Sequence, residues 1–241
     1  MTNKSILNAA SLLLALTTIF LTSCDWDGTR SEGDIVTETR SAKDFHALDI
    51  EVPGKVVVHT GPAYKVEVQG EETAMPFLET EVKNGSLHIY FSRNVRDVDD
   101  LLITVTAPAF DEIEVSGSAE VLAHDPLDGT DLEVSISGSG DIELTDVDYD
   151  RIDLDVSGSG NILLQGVAVQ SIDCTVSGSG DLDALDCPTP KATVKVSGSG
   201  TVRCHVLDFL RATVSGSGDV LYLGNPSVDA EVSGSGKVRK L

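Results

Sequence analysis

Apolar and polar residues alternate along most of the chain, and the alternation is locked to a repeated motif, Ser-Gly-Ser-Gly, whose first copy reads Ser-Gly-Ser-Ala. One residue before each copy stands a branched apolar side chain: Val115, Ile136, Val156, Val176, Val196, Val214 and Val232. Two further columns lie three residues before and five residues after each opening serine: Ile113, Val134, Leu154, Cys174, Val194, Ala212 and Ala230, then Val121, Ile142, Ile162, Leu182, Val202, Val220 and Val238. A period of two is typical of strands with one buried face. The sequence therefore predicts a strand on each side of every motif.

The copies of the motif are almost evenly spaced. Their opening serines are Ser116, Ser137, Ser157, Ser177, Ser197, Ser215 and Ser233. The intervals are 21, 20, 20, 20, 18 and 18 residues, a period that indicates a solenoid of stacked coils. A flexible linker would carry no apolar columns, so we interpret the motif as a corner where glycine lets neighbouring backbones approach closely. The glycines assigned to these corners are Gly117, Gly138, Gly158, Gly178, Gly198, Gly216 and Gly234.

The strand-like alternation begins well before the first motif. Residues 45–108 contain segments such as ALDIEV and LLITVTAP, and VPGKV (52–56) has the character of a degenerate corner. We therefore predict a single all-β domain over residues 45–241, a β-solenoid with coils of 18–21 residues. Residues 45–108 would form degenerate opening coils and residues 109–241 the regular ones. A separate small β domain over 45–108 is the alternative.

Several segments together resemble a known bacterial family. They are FHALDIEVPGKVVVHTG, YKVEVQGEE, LETEVKNGSLHIYF and the VSGSGDI series. In this order they resemble the auto-transporter adhesin head (GIN) domain, a bacterial domain of unknown function, over residues 45–241. The resemblance implies a right-handed parallel β-helix. It implies no activity and no catalytic residue.

The first 23 residues have the pattern of an export signal. Lys4 precedes an apolar run over residues 6–21, which is short for a membrane span. The following LTSC (21–24) resembles the bacterial lipoprotein box, which implies cleavage before Cys24 and attachment of lipid to that residue. We thus expect a signal peptide over 1–23, a lipidated N-terminus and polar tether over 24–44, and an exported lipoprotein of the cell envelope. It would be held in the outer membrane, facing the periplasm or the medium; the alternative is an ordinary signal peptide with a chance cysteine.

The net charge of the chain limits the kinds of partner that it can bind. The chain has 39 Asp and Glu against 17 Lys and Arg, a net charge of −22. Nucleic acid is excluded as a partner because phosphate binding needs a basic stripe, and none is present in the sequence. Basic residues do gather in KVRKL (237–241), where they protect a strand edge and give an acidic rod a basic tip. The sequence therefore predicts self-association through this C-terminal edge.

Acidic residues form the candidate binding sites. Asp141 and Asp181 follow Gly corners, which is reminiscent of calcium-binding solenoid repeats, although Asx residues there also serve as turn formers. Glu133, Asp153 and Asp173 are expected to stack on one outward column, where repulsion between carboxylates could be relieved by Ca²⁺ or Mg²⁺. The alternative is a solvated acidic face. No other cofactor is expected.

The spacing of the cysteines and histidines does not indicate a catalytic or metal-binding site. Cys174 and Cys204 fall at inward positions and are predicted to be core residues, whereas Cys187 is placed in a loop where it could pair with either. The five histidines are scattered singly: His46, His59, His88, His124 and His205. No long cleft-building loop and no aromatic platform for sugars is evident. We predict a non-enzymatic adhesion or ligand-binding module that contacts a glycan or an envelope protein, and the alternative is a polysaccharide-cleaving β-helix enzyme.

Overall fold

The structure is a computed structural model that describes residues 28–167 and 169–241. The predicted signal peptide and Cys24 lie outside the described residues. Within them, the regular elements are β-strands and one short 3-10 helix, Met75–Phe77. The strands are Thr29–Arg30 (β1), Ile35–Arg40 (β2), Ala47–Ile50 (β3), Pro53–Thr60 (β4), Lys65–Glu71 (β5), Leu78–Lys83 (β6), Ser86–Phe91 (β7), Val95–Arg96 (β8), Leu102–Ala107 (β9), Glu112–Val115 (β10), Ser118–Ala123 (β11), Leu127–Ile136 (β12), Asp141–Val156 (β13), Asn161–Gly166 (β14), Ser171–Val176 (β15), Leu182–Val196 (β16), Thr201–Gly216 (β17), Asp219–Leu223 (β18), Ser227–Gly234 (β19) and Lys237–Lys240 (β20). No helix in this part of the chain is long and apolar enough to cross a membrane.

Two stacks of parallel strands meet at the Ser-Gly-Ser-Gly corners, which confirms the predicted β-solenoid. The strands that run into the corners form face A, in the order β7, β3, β10, β12, β13, β15, β16, β17 and β19. The strands that leave the corners form face B, in the order β9, β4, β11, β13, β14, β16, β17, β18 and β20. The long strands β13, β16 and β17 bend and contribute to both faces. A shorter third side joins face B back to face A.

The three apolar columns line the interior of the rod, as predicted. From Val115 to Val214 the column next to the corners is at most 1% exposed. Each buried valine, leucine or isoleucine contributes about 1.5–3 kcal/mol relative to an exposed one. Val232, in the last coil, differs because its side chain is 44% exposed. The core is therefore continuous through the rod and open at its C-terminal end.

The corner glycines are required for close stacking. A Cβ on Gly158 would lie far closer than 3.0 Å to the carbonyl oxygen of Gly138 in the preceding coil. The same contact recurs from coil to coil, so a side chain at these positions would push the coils apart. Among the corner glycines, only Gly216 and Gly234 have positive φ, 150° and 137°. The motif therefore keeps glycine chiefly for space, and the second position tolerates Ala119.

Residues 61–107 depart from the predicted succession of parallel coils. Here β6 pairs antiparallel with β7, β5 with β9, and β2 with β5. Asn84 and Gly85 connect β6 to β7 with φ values of 53° and 85°, the conformation of a two-residue hairpin turn. Within this part β7 and β9 stack on the outer side of β3 and β4, although they follow them in sequence. The degenerate corner at 52–56 does lie in register with the first motif, since Gly54 is opposite Ala119.

The predicted tether is partly ordered as strands. In the segment 24–44, β1 pairs with β8 and β2 pairs with β5. The sequence IVTETR of β2 is rich in β-branched residues, a strand signal that the tether prediction did not include. The hydroxyl of Ser31 also donates a buried hydrogen bond of 2.8 Å to the carboxylate of Glu71. The described part of this segment is therefore attached to the solenoid.

Candidate functional site

A concave surface that spans several coils lies on face B. It is a shallow groove of about 380 Å³ that runs across four coils. We call this surface the groove; its outward side chains are Glu120, Leu122, Asp141, Glu143, Asn161, Leu163, Asp181 and Asp183. The buried side chains of Val121, Ile142 and Ile162 lie beneath them. The groove thus offers both hydrogen-bonding groups and aliphatic surface.

The groove is built from two outward columns in register. The first, central column contains Leu122, Glu143, Leu163 and Asp183. Aliphatic and acidic side chains therefore alternate along the rod axis in this column. Adjacent coils are about 4.8 Å apart, which places the two leucines roughly 9.6 Å apart. At each end of the groove a basic side chain pairs with a carboxylate of the second column. Lys55 lies 3.3 Å from Glu120, and the Arg203 guanidinium lies 3.3 Å from Asp181.

The second column contains the predicted calcium ligands, Asp141 and Asp181, with Asn161 between them. Asp141 Oδ1 accepts hydrogen bonds from the backbone N–H and the side-chain amide of Asn161, at 3.1 and 2.8 Å. Asn161 Oδ1 accepts from the backbone of Asp181, and Asp181 Oδ1 from the backbone of Thr201. Each side chain therefore satisfies a backbone donor of the next coil. This geometry agrees with the turn-forming alternative.

The predicted acidic column lies on face A. Glu112, Glu133, Asp153 and Asp173 follow one another in register, as the motif spacing predicted. Partial burial, together with the carboxylate of Asp173, raises the pKa of Asp153; burial and Glu133 do the same for Glu112. A shallow depression of about 260 Å³ lies over Glu133, Asp153 and Asp173. Binding of a divalent cation there stays a prediction.

No metal centre is preformed in residues 28–167 and 169–241, where no group of three or more His, Cys, Asp or Glu side chains is arranged to hold an ion. The three cysteines of this region are buried free thiols. Cys187 does not lie in a loop, as the sequence predicted: it lies within β16 and its side chain is 0% exposed. Its thiol approaches the carbonyl oxygen of Val167 at 3.7 Å. Burial raises the pKa of Cys187 and of Cys204 to about 12, so neither thiol is a nucleophile near neutral pH.

The histidines are less isolated than the sequence indicated. Four of them contact a carboxylate in a neighbouring coil: His46 with Asp111 at 2.7 Å, His59 with Asp125 at 2.7 Å, His88 with Asp49 at 2.6 Å and His124 with Glu143 at 3.2 Å. All four contacts lie in the first half of the rod. They join adjacent coils, and the partners are 19 to 66 residues apart in sequence. Sequence analysis could have found His124 and Glu143, which are separated by nearly one repeat.

A second depression, of about 280 Å³, lies where the third side meets face A. The Tyr149 side chain forms part of its wall and donates a hydrogen bond of 2.6 Å to the carbonyl oxygen of Phe110. Gly129 lies directly against the tyrosine ring, and a Cβ at Gly129 would be 2.7 Å from a ring carbon. The tyrosine is 3% exposed. Its role is to fix the third side onto the beginning of face A.

The fold and the groove define a class of protein: a parallel β-solenoid with an open, acidic, partly aliphatic surface along one face. The family model described as "Putative auto-transporter adhesin, head GIN domain" matches residues 44–226. The chain belongs to this family, which confirms the resemblance identified from the sequence. A comparison with curated proteins finds no match.

Solved structures share this fold. A putative adhesin from Bacteroides fragilis NCTC 9343 is similar with a TM-score of 0.84 and 20% identity, over 89% of this chain and 100% of that chain. A putative lipid binding protein from Parabacteroides distasonis ATCC 8503 has a TM-score of 0.74 and 22% identity, over 88% and 98% of the two chains. A putative adhesin from the same organism has a TM-score of 0.71 and 23% identity, over 89% and 100%. At these identities the similarity establishes the fold alone.

Proposed function

We propose that this protein is an adhesion module of the cell envelope that binds glycan chains in the groove of face B and does not cleave them. The groove is the observation that carries the proposal. Its carboxylates and the Asn161 side chain can bond sugar hydroxyls, while Leu122 and Leu163 can pack against the aliphatic faces of sugar rings. The family name and the putative adhesins of similar fold support a location in the envelope or at the surface.

The shape of the groove favours an extended ligand. It is open along its length, and its aliphatic and acidic groups recur every second coil, roughly 9.6 Å apart, so a polymer can lie along the rod and contact several coils at once. Asp141 and Asp181 are occupied by backbone donors of the next coil. In the central column, Glu143 and Asp183 each use one carboxylate oxygen, towards His124 and the Leu185 N–H, and offer the other oxygen to a ligand. Membrane attachment through lipid on Cys24 belongs to the same proposal.

The polysaccharide-cleaving alternative has less support. General acid catalysis needs a carboxyl group with a raised pKa. The carboxyl groups whose pKa values burial raises, Glu112, Asp153 and Asp155, lie on face A. None of these three residues lines the groove. A binding function therefore agrees better with the arrangement of the acidic residues.

A glycan array tests the proposal, with the protein applied once in calcium and once in chelator. For a glycan that binds, Leu163→Ala removes aliphatic contact from the centre of the groove and should weaken binding about tenfold, equivalent to roughly 1.4 kcal/mol. Leu207→Ala is the matched control, because Leu207 is an exposed leucine of the third side, 44% exposed. Equal effects of the two substitutions would exclude the groove. Release of shorter sugars from the bound glycan would instead establish an enzyme.

A further inference from the structure

The two ends of the rod differ in how they are covered. At the N-terminal end, β5 and β6 add antiparallel strands beside β9 and β7. At the other end, within residues 28–167 and 169–241, β19 pairs only with β17 and β20 only with β18. Each of these two strands therefore has one side with free backbone donors and acceptors, which is a template for pairing with another strand.

The same end also exposes core positions. Val228 and Val232 of β19 are 38% and 44% exposed, whereas their register partners in β17, Leu210 and Val214, are each 0% exposed. These valines continue the interior columns of the rod, so they face the space that a following layer of strands would close. A surface that combines free strand edges with exposed core residues is unfavourable in water.

Charge distinguishes the two exposed strands. The outward side chains of β19 are acidic, Asp229 and Glu231, while those of β20 are basic, Lys237 and Arg239. The corner between the two strands carries no charge. The surface is therefore complementary to itself when β19 of one molecule meets β20 of another. Pairing of β19 with another β19 would oppose like charges, which is destabilising.

We propose that a second copy of this chain covers this end of the rod, with β19 of each copy pairing antiparallel with β20 of the other. The two-fold axis passes through the corner at residues 233–236, perpendicular to the rod. β19 runs into this corner and β20 runs out of it, so rotation about the axis brings the two strands together antiparallel. Outward side chains then meet outward side chains, and Glu231 lies opposite Lys237 of the second copy. The contact is isologous and closes at two molecules.

Cysteine cross-linking of the full chain tests where the copies meet. Ser235 is exposed in the corner close to the axis, so Ser235→Cys should give a disulfide-linked dimer under mild oxidation. Ser139→Cys is the matched control, since Ser139 is the exposed third residue of a corner in the middle of the rod. Cross-linking of the first variant alone supports the proposal. Equal cross-linking of both variants, or of neither, overturns it.

Charge reversal tests which strands pair. In low salt, Glu231→Lys should weaken dimerisation of the full chain in detergent about tenfold, because each dimer has two such contacts. Combining it with Lys237→Glu should restore the wild-type dissociation constant. Glu114→Lys is the control, since Glu114 occupies the same position before its corner as Glu231 does. The proposal fails if the wild-type protein sediments as a monomer, if the control weakens association equally, or if the double variant is not restored.

Discussion

Replacement of one corner glycine by alanine is the most direct test of how the coils are spaced. At Gly158 the added methyl group would clash with the Gly138 carbonyl oxygen, and the Gly138 carbonyl carbon would lie 2.9 Å away. The neighbouring atoms belong to backbone and cannot rotate out of the way. The coils must therefore separate locally, or the corner must shift.

The magnitude follows from two opposing contributions. Overpacking of a well-packed site costs about 1–3 kcal/mol, and contact with backbone places this substitution at the upper end. Alanine also restricts the unfolded chain, which recovers about 0.4–1 kcal/mol. The expected net loss is about 2 kcal/mol in the free energy of unfolding. For a domain of this size that corresponds to a decrease of roughly 4–8 °C in Tm.

Gly117→Ala provides a control at the same position of the first motif. There the nearest atom to the added methyl group is the Val52 carbonyl oxygen, 3.0 Å away. We expect a change within about 1 kcal/mol for this substitution. Urea unfolding followed by circular dichroism measures both variants. Equal destabilisation by the two substitutions would refute the argument that glycine is kept for space between coils.

Three further predictions concern buried or repelling groups. Asp153→Asn should raise Tm near neutral pH, because the pKa of Asp153 is higher in the folded protein than in the unfolded chain, which makes the carboxylate destabilising above the unfolded-state pKa. The gain in Tm should therefore disappear as pH falls towards 3.8. Tyr149→Phe should cost about 1–3 kcal/mol in urea unfolding, since the carbonyl of Phe110 loses its donor. Cys174 and Cys204 should resist alkylation at about pH 8 until the protein is unfolded, as measured by mass spectrometry; reaction in the native state would contradict their burial.

The regular coils could be predicted in detail because their sequence repeats. A period of two fixes which side chains point inward, and a period near twenty fixes which residues are neighbours across coils. Ile136, Val156 and Val176 illustrate this, since all three are buried and in register. The alignment of Glu133 with Asp153 follows from the same spacing.

The antiparallel strands before the first motif could not be predicted by this reasoning. Their sequences alternate like those of the coils, and alternation alone does not distinguish a parallel from an antiparallel neighbour. A local signal was present, because Asn84-Gly85 is the sequence preferred in a two-residue hairpin turn. The groove was missed for another reason. It depends on side chains from four coils, and the Gly-Asp spacing that indicated Asp141 and Asp181 as calcium ligands does not include Leu122 and Leu163.

The repeated contact between corners also bears on how such rods change length in evolution. Residues 137–156, 157–176 and 177–196 each begin with a corner and present nearly the same stacking surface above and below. Deleting or duplicating one such unit would join surfaces that already fit, and it would change the length of the rod by about 4.8 Å. The coils at the two ends of the rod would not need to change their residues. The distance between the antiparallel strands at one end of the rod and the last coil at the other is thus a quantity that selection can adjust in steps of one coil, independently of what the faces bind.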